Sequence, residues 1–281
     1  IQYQSNCGME TDSGFVPTSS NLISFNNVTL CVDECCIVYF DLETSGFQKN
    51  ANILQIAAQS EGKTFDVYVT PTQPVDAAAS KITGLQNIRG RLFVHDKEVN
   101  TLSIMEALVS FSQFLSSIST QCLLVAHNAR FDSSHLIHAI VTTEMVDKFS
   151  TILLGFTDTL AIFRKNLPER KGRDMFKLEQ LAQDILQINS VRFHDATYDV
   201  EILNRLVTTL TTKKSLIENH KSYIALVRKY ITLPSLRVLQ GYVNSSIIEK
   251  LATSGITYDK LVELHLRSGQ RGITDLLSQR K

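Results

Sequence analysis

Asp41 and Glu43 stand two residues apart, directly after the apolar run Cys36-Ile37-Val38-Tyr39-Phe40. Alternation along a strand sends both carboxylates to the same side of a sheet. Two unit charges about 4 Å apart at an effective dielectric near 20 repel by roughly 4 kcal/mol. A hard divalent cation with oxygen ligands, Mg2+ or Mn2+, suits that cluster better than a soft metal does. Asp132 closes the segment His127-Asn128-Ala129-Arg130-Phe131-Asp132 after a second apolar run, Cys122-Leu123-Leu124-Val125-Ala126. In His194-Asp195-Ala196-Thr197-Tyr198-Asp199, the last acid falls in the first turn of a predicted helix, with His194 on the loop before it. Each segment alone has a simpler explanation: a turn at 43–46, a helix cap at Asp132, an exposed loop at His194. Together, four acids and a base that titrates near neutrality have the form of a site where two cations clamp a phosphodiester and histidine takes the proton from water.

The elements that must position these residues are legible as periodicities. Strands are predicted at 36–40, 53–58 and 64–69, a three-stranded antiparallel start. A helix follows at 103–118, with Ile104, Leu108, Phe111 and Leu115 on one face. Then come a buried strand at 122–126, a helix starting just after Phe131, a short strand ending at Asp158, and helices at 178–186 and 197–211. Strands first, then strands interleaved with helices, imply one α/β domain with a mixed sheet flanked by helices. That domain is expected to span 34–212, after an irregular arm at 1–33. Residues 213–281 read as a helical C-terminal subdomain without strand patterns, its helices at 215–231, 234–243, 245–254 and 257–267 punctuated by Pro234, Gly241, Gly255 and Gly269.

Composition narrows the class without naming the partner. Lys plus Arg and Asp plus Glu both number 28 in 281 residues, so no global charge draws the chain to nucleic acid. No apolar run approaches the roughly 20 residues that span a bilayer, and no secretory signal is visible. The first residue is Ile1, which fits a piece of something longer. Five cysteines, an odd count, favour a reducing compartment, hence an intracellular location, nuclear or cytoplasmic. Cys31, Cys35 and Cys36 cluster, but no second pair follows at zinc spacing, so they read as structural or incidental. One clearly basic run, Arg164, Lys165, Arg170, Lys171, Arg173 and Lys177, reads either as phosphate neutralisation or as a solvated loop.

The three acidic segments resemble the motifs of the DEDDh 3′–5′ exonucleases, and within them the three-prime repair exonucleases. Ile82-Thr83-Gly84-Leu85, Asp158-Thr159-Leu160 and Lys177-Leu178-Glu179-Gln180-Leu181-Ala182 extend the resemblance over about residues 34 to 210. It implies a ribonuclease H-like, mixed five-stranded sheet and two divalent cations. Asp41, Glu43 and Asp199 would hold the cation that positions water; Asp41 would bridge to the second, shared with Asp132; His194 would be the general base. Leu42 and Thr44 would meet the terminal nucleotide, Leu85 would wedge against the last base, Phe131 would lie near the sugar, and Thr83-Gly84 would offer amides. His127 and Asn128 of the second motif, and Arg164 and Lys165 of the basic run, complete the expected substrate contacts. Ser45 departs from the Gly or Thr the family often has there. The implied partner is nucleic acid with a free 3′ end, DNA favoured over RNA, and the implied assembly is a homodimer unless the helical tail covers the strand at 64–69. A narrower similarity, carried by Tyr39–Leu42, Phe176–Gln183 and Gly255–Leu261, is to the exonuclease-like C-terminal region of the long promyelocytic leukaemia protein isoform. That region has lost its acids in mammals, which would leave a non-catalytic interaction module; this chain keeps all of them.

Overall fold

The first strand sets the frame for everything else. The computed structural model describes residues 35–278 apart from positions 120, 173 and 191, so the N-terminal arm, Cys7, Cys31 and Arg173 lie outside the described residues. β1 (Cys36–Thr44), β2 (Ile53–Ser60) and β3 (Lys63–Val69) form an antiparallel meander. Helix α1 (Ala77–Thr83) leads to a separate three-stranded sheet of β4 (Leu85–Ile88), β5 (Arg91–Val94) and β6 (Lys97–Glu98). After β7 (Thr101–Leu102), helix α2 (Ile104–Ile118) opens on a capping box in which Ser103 and Glu106 satisfy each other's backbone amides. Next come β8 (Cys122–Ala126), α3 (Arg130–Thr142), α4 (Val146–Ser150), β9 (Leu153–Asp158) and α5 (Thr159–Asn166). Helices α6 (Leu178–Leu186) and α7 (Ala196–Leu210) follow. The tail holds α8 (Lys213–Glu218), β10 (Lys221–Ser222), α9 (Tyr223–Leu236), α10 (Ser245–Thr253) and α11 (Tyr258–Ser278).

The main sheet runs β10-β9-β8-β1-β2-β3-β7, with β1, β8 and β9 parallel and β1, β2 and β3 antiparallel. It is the mixed ribonuclease H-like sheet, but with seven strands rather than five: β7 and β10 add two residues each, too few to show an alternation. The outer neighbour of β3 is β7, and the tail joins the opposite edge through β10, so the expectation that the tail covers 64–69 does not hold. Pro234, expected to open a helix, lies within the last turn of α9.

Apolar side chains cover the sheet on both faces. Val38, Phe40, Ile56 and Leu124 meet Leu108, Phe111 and Leu115 of α2, Leu136 and Ile140 of α3, and Tyr223 and Val227 of α9. On the other face Leu123 and Val125 meet Phe163 of α5, Leu181 of α6, Ile202, Leu203 and Leu206 of α7, and Leu216 and Ile217 of α8. Both layers therefore draw on residues beyond 212. A smaller cluster of Leu236, Ile248, Leu251 and Ala252 holds α10 against the end of α9.

Candidate active site

The alternation that buries Phe40 and Leu42 on the α2 face turns Asp41 and Glu43 to the α7 face. Ala57, the partner of Asp41 in β2, packs there against Ala196 and Val200 at the start of α7. That contact brings in Asp199: ligand oxygens of Asp41, Glu43 and Asp199 all lie within 4.8 Å of one another. Asp132, in the first turn of α3, reaches the same end from the helix that follows β8, and the Leu42 amide donates to its carboxylate. The four acids thus gather at the carboxyl ends of parallel strands, the usual binding edge of open α/β sheets. Glu43, Asp132 and Asp199 are buried and Asp41 partly so.

Burial and mutual repulsion hold these carboxyls well above their ordinary range. For Asp41 desolvation is the largest cause, followed by the charges of Asp132, Glu43, Asp199 and Asp195; for Glu43 it is desolvation, then Asp199, Asp132 and Asp195. Asp132 and Asp199 are each pushed up to about 7, chiefly by burial. Asp199 Oδ2 accepts the His194 amide at 3.1 Å, whereas its Oδ1 is buried without a hydrogen-bond partner among the described residues. An orphaned buried oxygen beside two further carboxylates is the donor set a divalent cation completes. The residues present fit such an ion.

His194 sits exposed on the turn into α7, with φ of 70°, and Asp195 caps that helix by accepting from the Thr197 amide at 3.1 Å. Asn128 also has positive φ, 65°, and its amide donates to Asp158 Oδ1 at 3.0 Å. Phe131 lies beside the exposed Phe47, and His135 bridges the Phe131 and Gln48 carbonyls at 3.0 and 2.9 Å, pinning the β1–β2 loop to α3. These side chains line the acid-bearing end of the sheet.

Other expected contacts are placed elsewhere. Leu85 is 2% exposed, buried with Leu54 and Leu92 beneath the small sheet, so the wedge role expected of it does not fit its position; the exposed apolar side chains nearby in sequence are Ile82 and Ile88. Leu42 is buried too, which leaves its backbone for contact. Thr44 donates its hydroxyl to the Gly46 carbonyl at 2.7 Å, and Thr83 Oγ1 serves the Ala79 carbonyl and the Leu85 amide. Gly84 ends α1 at φ of 73° under the His95 ring, where a Cβ would collide. His127 spends both ring nitrogens on the protein: Nε2 faces the Phe176 carbonyl at 2.7 Å, which makes it the donor, and Nδ1 lies 2.9 Å from the Thr159 hydroxyl. Burial lowers its pKa and keeps that tautomer neutral.

The basic run is largely engaged. The Arg164 and Arg170 guanidinium groups lie 5.6 and 5.9 Å from the Phe176 ring centroid. Arg170 pairs with Asp184, Lys177 with Asp174, and Lys171 donates to the Pro168 carbonyl. Lys165 is exposed and has no partner among the described residues. Sequence reasoning missed three contributors. Asp195 adds a fifth negative charge. Gln55, the register partner of Glu43, donates to Asp66 at 2.9 Å. Tyr68, the partner of Gln55, has its phenol pushed up to about 12 by burial and by Asp66, Asp195 and Glu43. The signal for the last two was their register with Glu43, which needs the pairing of β1, β2 and β3.

This fold and acid cluster define a nuclease-type site, and the chain belongs to the exonuclease family, which it matches over residues 38–207. It is similar to the DNA polymerase III PolC-type proteins of Streptococcus agalactiae serotype III (29% identical over 193 residues, 66% of this chain) and Streptococcus mutans serotype c (28% over 193 residues). The chain spans only 12% of the length of these relatives. Among solved structures it is similar to exonuclease X in complex with 5′ overhanging duplex DNA, at 18% identity and a TM-score of 0.41, covering 65% of this chain and 98% of that one. It is also similar to a 3′-exonuclease recognising the histone mRNA stem-loop, at 13% identity and a TM-score of 0.46, covering 66% and 84%.

Proposed function

We propose that the chain is a cation-dependent 3′–5′ exonuclease that releases nucleoside 5′-monophosphates from 3′ ends, with DNA the preferred substrate. The observation that carries this reading is the convergence of Asp41, Glu43 and Asp199 within 4.8 Å around an unpartnered Asp199 oxygen. Two divalent cations, Mg2+ or Mn2+, held by Asp41, Glu43 and Asp199 and by Asp41 with Asp132, would neutralise phosphate charge and make water acidic enough to lose a proton. His194, on its exposed turn, would accept that proton; the hydrogen bond that its amide donates to Asp199 fixes the turn on which the ring is carried. The Leu42 backbone and the Thr44, Asn128 and Phe131 side chains orient the terminal nucleotide, and Lys165 meets a phosphate. DNA preference is supported by the DNA-polymerase names of the relatives in Streptococcus.

The family match, ending at 207, supports 34–212 as the nuclease unit and 213–281 as an added helical subdomain with a buried seam between them. The similarity to the promyelocytic leukaemia region is our reading of where that subdomain comes from. A homodimer through the outer edge of β3 is supported by the short reach of β7, which pairs only Tyr68 and Val69. An intracellular location, nuclear or cytoplasmic, accords with the unpaired Cys35, Cys36 and Cys122, and no described helix is long and apolar enough to cross a membrane. Incubating 5′-labelled single strands with Mg2+ tests the activity. A ladder shortened from the 3′ end, lost in Asp41→Ala, is expected; full-length strands surviving at high enzyme while a control nuclease degrades them would sink the reading.

A further inference from the structure

The small sheet between α1 and β7 takes no part in the acid site, yet it is tied to it. The Asp76 amide at the start of α1 donates to the Ser45 carbonyl at 2.7 Å, next to the metal-facing end of β1. Asn87 Nδ2 on β4 donates to the Gln73 carbonyl at 2.8 Å, and Gln73 Nε2 reaches Ser45 Oγ at 2.6 Å. Seven residues of α1, at 1.5 Å per residue, set the sheet roughly 10 Å from that end. The offset amounts to a short stretch of strand beyond a terminal nucleotide.

Its two faces differ in kind. Register pairs Leu85 with Val94 and Asn87 with Leu92, and this inner face is packed on Leu54. Register also pairs Gln86 with Phe93, Ile88 with Arg91 and Phe93 with Glu98, so these five residues share the outer face. There Phe93 is half-buried, Ile88 is exposed, and the Arg91 guanidinium stands 5.9 Å from the Phe93 ring centroid while pairing with Glu98 at 3.0 Å. Arg89 extends from the hairpin tip, where positive φ at Arg89 (54°) and Gly90 (83°) makes a tight two-residue turn, closed by the Gly90 amide on Asn87 Oδ1. Lys97, exposed, pairs with Val94 and so belongs to the opposite face. On this face and at its tip Arg89 and Arg91 outnumber Glu98, in a chain whose net charge is zero.

A half-buried aromatic ring with a guanidinium over it and a further cation at the hairpin tip is the composition of a stacking platform for unpaired bases, with a phosphate held at the edge. We propose that the outer face of this sheet binds the substrate strand upstream of its 3′ end: a base lies on Phe93 and Arg91, and Arg89 meets a phosphate. The proposal rests on the exonuclease reading, whose substrate it extends to a strand of several nucleotides.

Two measurements separate the two ideas. The first is anisotropy of a 5′-fluorescein 12-nucleotide single strand in EDTA, with wild type, Arg89→Asn/Arg91→Gln, and Phe93→Leu. Asn accepts positive φ at position 89 and Leu keeps the apolar bulk at 93, so the hairpin is retained. The second is Mg2+-dependent turnover of the 12-mer and of a trinucleotide too short to reach the sheet. Expected are about tenfold weaker binding by each variant, a salt slope lowered by about 0.7 in the double variant for its one lost phosphate contact, and unchanged trinucleotide turnover. Variants that bind the 12-mer like wild type, while wild type degrades the trinucleotide, would overturn the platform and leave the nuclease reading standing. Wild type inactive on both lengths would overturn the nuclease reading, and with it the platform as a substrate surface.

Discussion

Among single side chains, the acids impose a cost on the metal-free fold that an ion would remove. Asp132 and Asp199 have folded pKa values of about 7 against an ordinary 3.8, so each is more easily deprotonated in the unfolded chain. The sign is therefore destabilising with rising pH: no penalty exists below about 4, it grows between about 4 and 7, and it is complete above. In EDTA, the midpoint of thermal unfolding should fall across that window. Asp199→Asn should raise stability at pH 7.5 by on the order of 2 to 4 kcal/mol while abolishing turnover. A mutant no more stable than wild type in urea titrations would contradict this. Proton competition should also make Mn2+ affinity, followed by calorimetry, rise with pH up to about 7 and then level off. His127 belongs to a different class. Replacing it with Phe strands the Phe176 carbonyl and should cost about 1 to 3 kcal/mol by chemical denaturation. The acids were legible in sequence because strand alternation and a helix's first turn place them locally. The role of His127 was not, since Phe176 lies 49 residues away along the chain.

Elements reveal where periodicity informs and where it cannot. Strands β1, β2, β3, β8 and β9 and helices α2, α6 and α7 carry patterns long enough to read, and together with the first turn of α3, which holds Asp132, they position every acid. The β4–β5–β6 sheet had a signal that went unread: Arg89-Gly90 and His95-Asp96 each separate short apolar-containing runs by two turn residues. The family resemblance implied an outward Leu85, whereas the inner face of that sheet accounts for its burial. Strands β7 and β10 left no trace, as two residues define no alternation. Helix α9 shows the same limit from another side. Its residues were read as part of an appended helical subdomain, whereas Tyr223 is fully buried in the main core with its hydroxyl on the Val146 carbonyl at 3.2 Å. Tyr223→Ala should cost about 3 to 5 kcal/mol. A loss under 1 kcal/mol in urea unfolding would mean that α9 detaches without disturbing the sheet.

For the whole molecule, the nuclease unit and the tail share one sheet. Thr157 of β9 donates to the Leu216 carbonyl at 2.8 Å, β10 pairs along β9, and α8 and α9 close both apolar layers. A chain ending at residue 212 should therefore lack a cooperative thermal transition and aggregate, although every proposed catalytic residue is present; a soluble, active truncation would refute that. The order of synthesis gives the same seam a meaning in time. β9 leaves the ribosome well before β10, and at about 5 to 20 residues per second the chain from Asp158 to Ser222 takes roughly 3 to 13 s to appear. Throughout that interval the newborn sheet offers an uncapped hydrogen-bonding rim to any neighbouring nascent chain, so the tail's last small strand acts as the latch that ends its period of vulnerability.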